Sequence, residues 1–229
     1  MPAMTDMGND TTGGEADWAQ ADWAQAMEER LLDAAVALSP KYGWSWTMVK
    51  AASRRLGLSA ADVELILPGG PRDLAALLAR RHDATALQAL DAFDPASLKI
   101  RERIRRAVLA RCAAALADED AVRRWSGFLA LPPNLPLAMR LVWSSADRLW
   151  RWAGDTATDE NHYSKRAILS EILVTTLAVQ LSAGANAAAA HLDGRIEAVM
   201  AFEKWKAGVH PFDGAHRVAA ALGRMRYAR

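Results

Sequence analysis

The sequence is short of the residues that cross-links, membrane spans and strongly charged surfaces require. It has one cysteine, Cys112, in 229 residues, which excludes an intrachain disulfide and a cysteine-based metal site. No stretch approaches the ~20 apolar residues needed to span a bilayer. The formal net charge is +1, whereas a nucleic-acid-binding protein usually carries a basic excess or a basic face. These shortages argue against a disulfide scaffold, an integral membrane protein and a general polyanion binder.

The residues that are present favour helices. Hydrophobic residues make up 52% of the chain, and among them Ala and Leu outnumber the β-branched residues and Tyr that strands prefer. The sequence therefore predicts an all-α fold. Nine tryptophans each offer a large apolar face with one hydrogen-bond donor, which suits core packing or an interface.

The amino-terminal part divides into a leader and three short helices. Residues 1–21 combine Gly, Thr, Asp and Asn without periodicity and are predicted to be a disordered leader, although the doubled pentapeptide ADWAQ at 16–25 extends the first helix outward. That helix is predicted from Asp22 to Leu38. Thr47 and Ser59 are the predicted N-caps of a second and a third helix.

The remainder is predicted to be a helical bundle over 71–207 followed by a basic tail over 208–229. Pro71 suits the first turn of the opening helix of the bundle. The run Pro132-Pro133-Asn134-Leu135-Pro136 breaks the chain ahead of two long helices. The tail carries His and Arg residues beside a short apolar stripe, so it is either disordered or an amphipathic helix that lies on anionic lipid.

The helix-turn-helix layout of residues 22–70 is similar to the DNA-binding domain of TetR-type regulators. The third helix would then read the major groove, but it carries Asp62 and Glu64 and no Lys or Arg. Two carboxylates facing a phosphate lattice repel it, and nothing on this helix donates to a base edge. We therefore expect a TetR-like fold that has lost specific nucleic-acid binding. A TetR-type regulator with a lipophilic effector is the main alternative, and a plain dimerisation scaffold is a third possibility.

The sequence has no recognisable catalytic constellation. A di-iron bundle needs paired Glu-x-x-His motifs that face inward, and no Glu here has a His three positions on. Asp159 and His162 form a single Asp-x-x-His, which is better explained as loop chemistry. A Gly-rich phosphate loop and a Gly-x-Ser-x-Gly nucleophile motif are also missing. We predict no catalytic residue, no metal and no cofactor.

Residues 131–181 closely resemble the signature region of the ubiquinone (coenzyme Q) biosynthesis accessory family, the ninth of the coenzyme Q proteins in eukaryotes. The similarity runs without a gap across about thirty residues. It is carried by Asp147, Trp150, Ala153-Gly154-Asp155, Thr158-Asp159, Asn161, Tyr163, Arg166, Ala167, Leu169 and Thr175-Thr176. The helix order on both sides agrees, so the resemblance extends over roughly Leu31 to Lys206.

This resemblance implies a non-catalytic protein on a TetR-like fold. It implies an isoprenoid quinone intermediate, or another lipid, as a ligand in a hydrophobic pocket, and a di-iron demethoxyubiquinone-type hydroxylase as partner. The predicted partner-binding residues are Leu149, Trp152, Asp155, Asp159, His162, Tyr163 and Arg166. At His162 the eukaryotic sequences tend to carry an aromatic residue.

The residues of this segment suit such an interface independently of the resemblance. A loop of Gly, Asp, Thr and Asn between two apolar helices places polar groups beside Trp150, Trp152 and Tyr163, and interfaces combine a polar rim with aromatic anchors. Capping of the next helix by Thr158 or Asp159 is the alternative for those two residues.

The lipid pocket is predicted among the long helices. Its predicted lining is Met139, Leu141, Trp143, Trp150, Ile172, Leu173, Leu177 and Met200. Each of these residues taken singly is more often plain core, so only a cavity among the helices would support their assignment to a pocket. The amino terminus lacks the basic and apolar regions of a signal peptide, so we predict a cytoplasmic protein held peripherally at the inner face of a membrane.

TetR-like bundles commonly pair through their last two long helices, which predicts a homodimer.

Overall fold

A computed structural model describes residues 12–156 and 160–208 as a bundle of α-helices. The leader up to residue 11, the predicted partner residue Asp159 and the tail from residue 209 lie outside the described residues. The helices are α1 (Thr12–Tyr42), α2 (Trp46–Arg55), α3 (Ala60–Ile66), α4 (Pro71–Leu90), α5 (Ile100–Leu116), α6 (Glu119–Leu129), α7 (Leu135–Trp152), α8 (Glu160–Ala183) and α9 (Ala185–Gly208). The described ranges contain no strand, and the predicted all-α class is confirmed.

Helix α1 is longer than predicted at both ends. It begins at Thr12 rather than Asp22, so residues 12–21 of the predicted leader are helical, because the ADWAQ repeat supplies Ala and Gln, which favour helix. It also continues through Pro40 to Tyr42. Proline has no N–H for the carbonyl four residues back, but the Ser39 hydroxyl donates to the Val36 carbonyl at 2.9 Å instead.

The short helices begin at side-chain caps, one of which differs from the prediction. Helix α2 is capped by Ser45, whose Oγ accepts from the Met48 amide at 3.3 Å, and not by Thr47. Ser59 caps α3 as predicted, and Asp62 completes a capping box by accepting from the Ser59 amide at 2.8 Å. The hydrogen bonds from Ser59 hold the pKa of Asp62 below its usual value.

The proline break before α7 is fastened to α4. The Asn134 side chain donates to the Phe128 carbonyl at 2.9 Å and accepts from Arg72 Nε at 3.0 Å. Arg72 also donates to the Pro133 carbonyl. These bonds fix the direction in which α7 leaves α6.

Two groups of buried side chains form the core. The first unites α1, α2, α4 and α6 around Leu31, Met48 and Leu74, and the second unites α5, α7, α8 and α9 around Val108 and Leu192. Because the first group contains residues from both sides of position 70, the helix-turn-helix-like segment packs on α4. The predicted subdomain boundary at residue 70 stays a prediction.

Two tryptophans are used for packing, as the composition suggested. Trp44 and Trp125 are buried in the first core group. The Trp44 indole donates to the Pro71 carbonyl at 2.8 Å, and the Trp125 indole donates to the Ala75 carbonyl at 3.1 Å. Both buried donors are therefore satisfied, and both tie α4 to a neighbouring segment.

Helix α8 corrects the expectation that no segment has the length and composition of a membrane span. Its segment His162–Ala183 has 22 residues with a mean hydropathy of 1.3. In the fold, 39% of the most apolar 18 residues of this segment is buried, where α8 packs against α5, α7 and α9. Packing on three helices accounts for the buried part of this apolar composition.

Candidate functional site

A cavity of about 540 Å³ lies between α5, α6, α7 and α8. Its wall is mainly aliphatic. Leu177 belongs to this wall and packs against both core groups, so the cavity lies between them. The mouth includes Leu135, Met139 and Val174, whose side chains are exposed, and the exposed Arg123 and Ser182 also belong to the lining. The volume is in the range of pockets that take a drug-sized ligand. A cavity with a mainly apolar lining suits a hydrocarbon chain.

The predicted lipid-binding residues divide between two cavities. Met139, Leu141, Leu173 and Leu177 line the large cavity. Three further predicted residues line a second cavity of about 80 Å³, whose wall also includes residues of α5 and α9. They are Trp150, Ile172 and Met200. Trp143 lines neither.

This division follows from helix geometry. Leu173 and Ile172 are neighbours in α8, and successive side chains leave a helix about 100° apart. They therefore face different sides of α8. Because the residues on both sides of α8 are apolar, the sequence did not show that they line two different cavities.

A buried polar cluster lies at the closed end of the large cavity. Arg111 and Ser145 belong to the lining, and both donate a hydrogen bond to Oδ1 of Asp83 on α4. The distance is 2.6 Å from Arg111 Nε and 2.7 Å from Ser145 Oγ. The half-exposed Arg148 lies 3.9 Å from the other Asp83 oxygen. None of these residues was predicted from the sequence, because they meet only when α4, α5 and α7 pack together.

Two titratable groups beside this cluster are held neutral near pH 7. Burial, reinforced by the Arg111 charge, lowers the pKa of His82 to about 4, and its Nε2 lies 3.0 Å from Asp118. Burial raises the pKa of Cys112, in the cavity wall, to about 11. Cys112 is thus a thiol in an apolar wall, unlike a reactive thiolate.

The predicted partner-binding segment is organised around Arg166 of α8. This guanidinium is 2% exposed and donates to Asp147 Oδ1 at 2.7 Å and to Asp155 Oδ2 at 3.0 Å. Lys165 Nζ lies 2.6 Å from Asp155 Oδ1. Although burial alone raises the pKa of Asp155, the hydrogen bonds from Lys165 and Arg166 outweigh it and the pKa lies below its usual value. These ion pairs lock the end of α7 and the loop after it onto α8.

Three predicted partner residues are therefore buried and do not form an open surface. Leu149 is 1% exposed because it continues the inward stripe of Ser145 and Ala146 on α7, and Arg166 and Asp155 are buried by their mutual ion pair. In the structure these side chains support the surface from inside, and their assignment as partner contacts stays a prediction.

The part of this segment that faces outward is aromatic. Tyr163 is 65% exposed, and its ring centroid lies 6.2 Å from that of Trp143 and 5.1 Å from that of His162. Trp152 is half-buried and packs against the second core group, so it is not part of this cluster. We call Trp143, His162 and Tyr163 the aromatic edge. Trp143, predicted to line the lipid pocket, belongs to this edge instead.

The COQ9 family model matches residues 135–203 of the chain. The similarity to this family that was predicted from the sequence is confirmed. Among similar curated proteins, the ubiquinone biosynthesis protein COQ9-A, mitochondrial, of Xenopus laevis is 27% identical over 192 residues, 79% of this chain and 57% of that protein. COQ9, mitochondrial, of Homo sapiens is 29% identical over 163 residues, 68% of this chain and 51% of that protein.

The Bos taurus protein of the same name is 29% identical over 161 residues, 68% of this chain and 50% of that protein. The chain thus spans about half the length of the curated relatives it matches. The COQ9 match covers α7, α8 and most of α9. It includes the whole aromatic edge and two walls of the large cavity, whereas Asp83 and Arg111 lie outside it.

Proposed function

We propose that the chain is a non-catalytic accessory protein of ubiquinone biosynthesis that binds an isoprenoid quinone intermediate and presents it to a di-iron quinone-ring hydroxylase. The COQ9 relatives, which are named for ubiquinone biosynthesis, support the pathway. The cavity between α5, α6, α7 and α8 carries the ligand part of the proposal. An isoprenoid chain is hydrocarbon, and burying it in an aliphatic cavity removes its apolar surface from water.

The lipid part is tested by calorimetric titration with a benzoquinone that carries a decyl chain and is fully substituted on the ring. The side chain of Ala138→Trp fills the cavity, because Ala138 lies in its wall on α7. Ala190→Trp is the matched control, since Ala190 is exposed on α9 and lies outside the lining. The wild type and Ala190→Trp bind the quinone, and Ala138→Trp loses binding. Equal binding by all three proteins contradicts a ligand in this cavity.

The partner part of the proposal uses the aromatic edge. Exposed aromatic side chains at the centre of a polar surface carry much of the binding energy of protein interfaces, and the ion pairs of Arg166 and Lys165 with Asp155 hold this edge in place. The hydroxylase therefore docks over Tyr163 and its neighbours on α7 and α8.

A pull-down titration with the di-iron hydroxylase of the same organism tests this surface. Tyr163→Ala weakens the complex on the order of tenfold or more, with an unchanged helical circular dichroism spectrum. Leu65→Ala is the matched control, because Leu65 is 63% exposed on the distant helix α3. A Tyr163→Ala protein that binds as tightly as Leu65→Ala removes the aromatic edge from the proposal.

The alternative is a TetR-type regulator with a lipophilic effector, which the same cavity would suit. Helix α3 argues against it, because Asp62 is engaged in capping the helix and Glu64 is exposed. The predicted homodimer, the membrane attachment and the location at the inner face of a membrane stay predictions. The relatives are named mitochondrial.

A further inference from the structure

Arg111 has an unusual position for a charged residue. It is 7% exposed and lines an otherwise largely aliphatic cavity. Its side chain bonds to Asp83 through Nε, and the structure gives its remaining N–H donors no acceptor among the described residues. These nitrogens are not among the buried polar atoms that lack a partner, so they still contact open space, where a ligand oxygen in the cavity can accept from them.

We infer that Arg111 binds an oxygen acceptor of the ligand and thereby sets the direction in which the ligand enters the cavity. This inference rests on the proposed function. Arg111, Ser145 and Cys112 are buried, so they mark the closed end. Leu135, Met139 and Val174 are exposed and mark the mouth. The oxygen-bearing ring lies at the closed end, and the hydrocarbon tail leaves through the mouth.

The charge of the cluster selects a neutral acceptor. The carboxylate of Asp83 balances the Arg111 guanidinium at 2.6 Å. The second cation near Asp83, Arg148, is half-exposed at 3.9 Å and lies outside the cavity lining. A fatty-acid carboxylate would place a second buried anion beside Asp83, and two like charges at such a site repel strongly in a low dielectric. A carbonyl or methoxy oxygen of a quinone ring accepts the free N–H donors without adding charge.

Cys112 supplies a direct readout, because the chain's single cysteine lies in the cavity wall. The test measures the rate of its alkylation by N-ethylmaleimide against the concentration of three compounds. These are the decyl benzoquinone with a fully substituted ring, which cannot add the thiol, a decyl alkylbenzene of the same shape without oxygen, and dodecanoate. In the wild type the quinone protects Cys112 at about tenfold lower concentration than the alkylbenzene, as expected for hydrogen bonds from a charged donor.

Two variants assign this preference to Arg111. The double variant Arg111→Met with Asp83→Leu removes both charges together, so no buried charge is left without its partner. Arg111→Lys keeps a cation beside Asp83, but its ammonium ends before the position of the guanidinium Nη atoms, so the fork of donors that extends into the cavity is lost. In both variants the quinone and the alkylbenzene protect equally, each measured against the same variant without ligand.

The outcomes separate the two ideas. Three results would overturn the role of Arg111 and leave the cavity as a lipid site. The first is equal protection of the wild type by the quinone and the alkylbenzene. The others are a preference for the quinone that persists in both variants, and stronger protection by dodecanoate than by the quinone. No protection of the wild type by any of the three compounds overturns the lipid site itself.

Discussion

Arg166 Nη1 lies 3.0 Å from Asp155 Oδ2, and both side chains are almost completely buried. Arg166 lies in α8 and Asp155 in the loop that follows α7. Arg166 Nε also reaches Asp147 of α7 at 2.7 Å. One guanidinium therefore joins the two helices that carry the aromatic edge.

Replacement of this guanidinium destabilises the fold. Arg166→Met leaves two carboxylates without it, and we expect the free energy of unfolding to fall by about 3 kcal/mol, as for other broken buried ion pairs. Urea denaturation measures the loss. Arg195→Met is the control, because the Arg195–Glu171 pair is well exposed and such pairs contribute about 0–1 kcal/mol. Similar losses in the two variants would mean that Arg166 is not a structural centre.

The pH dependence of stability reports on His82. Its pKa of about 4 in the folded chain lies below the ordinary value of 6.5, so between these values the unfolded chain binds a proton that the native chain does not. Stability is therefore highest above pH 6.5 and falls as the pH drops towards 4, by about 3 kcal/mol. Urea denaturation across this range measures the fall. His82→Gln removes this slope, and a slope that survives the substitution assigns it to other groups.

Gly70 is required by both backbone and packing. It has φ +55, and a Cβ at this position would lie 2.2 Å from the Trp46 ring. Gly43 has a similar φ of +64 but open space around it. We expect Gly43→Ala to cost about 1 kcal/mol from the left-handed backbone alone, and Gly70→Ala to cost clearly more by thermal or urea unfolding. Equal costs would contradict the close approach of Trp46.

Duplex DNA separates the proposed function from its alternative. In a gel-shift titration at physiological salt, we expect no retarded band for the wild type, because α3 presents Asp62 and Glu64 and lacks cations. Glu64→Lys gives weak retardation that disappears as salt rises, as for nonspecific phosphate contacts. A sequence-specific shift by the wild type would instead favour a TetR-type regulator.

The helix order could be predicted from local signals, and its errors have local causes. Ser59 and Pro71 are strong boundary signals and begin α3 and α4 as predicted. Ser45 and Thr47 are both good caps two positions apart. The bond between the Trp44 indole and the Pro71 carbonyl fixes the chain just before α2, and this long-range contact is invisible to a local pattern.

The sequence predicted the similarity of the candidate site to a known family and part of its hydrophobic wall, but not the buried polar residues of the cavity. The residues around Tyr163 indicated the similarity to the COQ9 family, and four of the predicted lipid-binding residues line the large cavity. Asp83, Arg111 and Ser145 come from three helices. Polar side chains of this kind are typical of a solvated helix face, and only packing shows that they are buried.

The most direct test of the lipid-binding account is mass spectrometry of the organic extract of natively purified protein. We predict a prenylated quinone-class lipid in the wild type and in Ala190→Trp, and its depletion in Ala138→Trp, whose side chain occupies the cavity. A wild-type protein that yields no prenyl lipid, or an Ala138→Trp protein that yields as much as the wild type, would contradict the account.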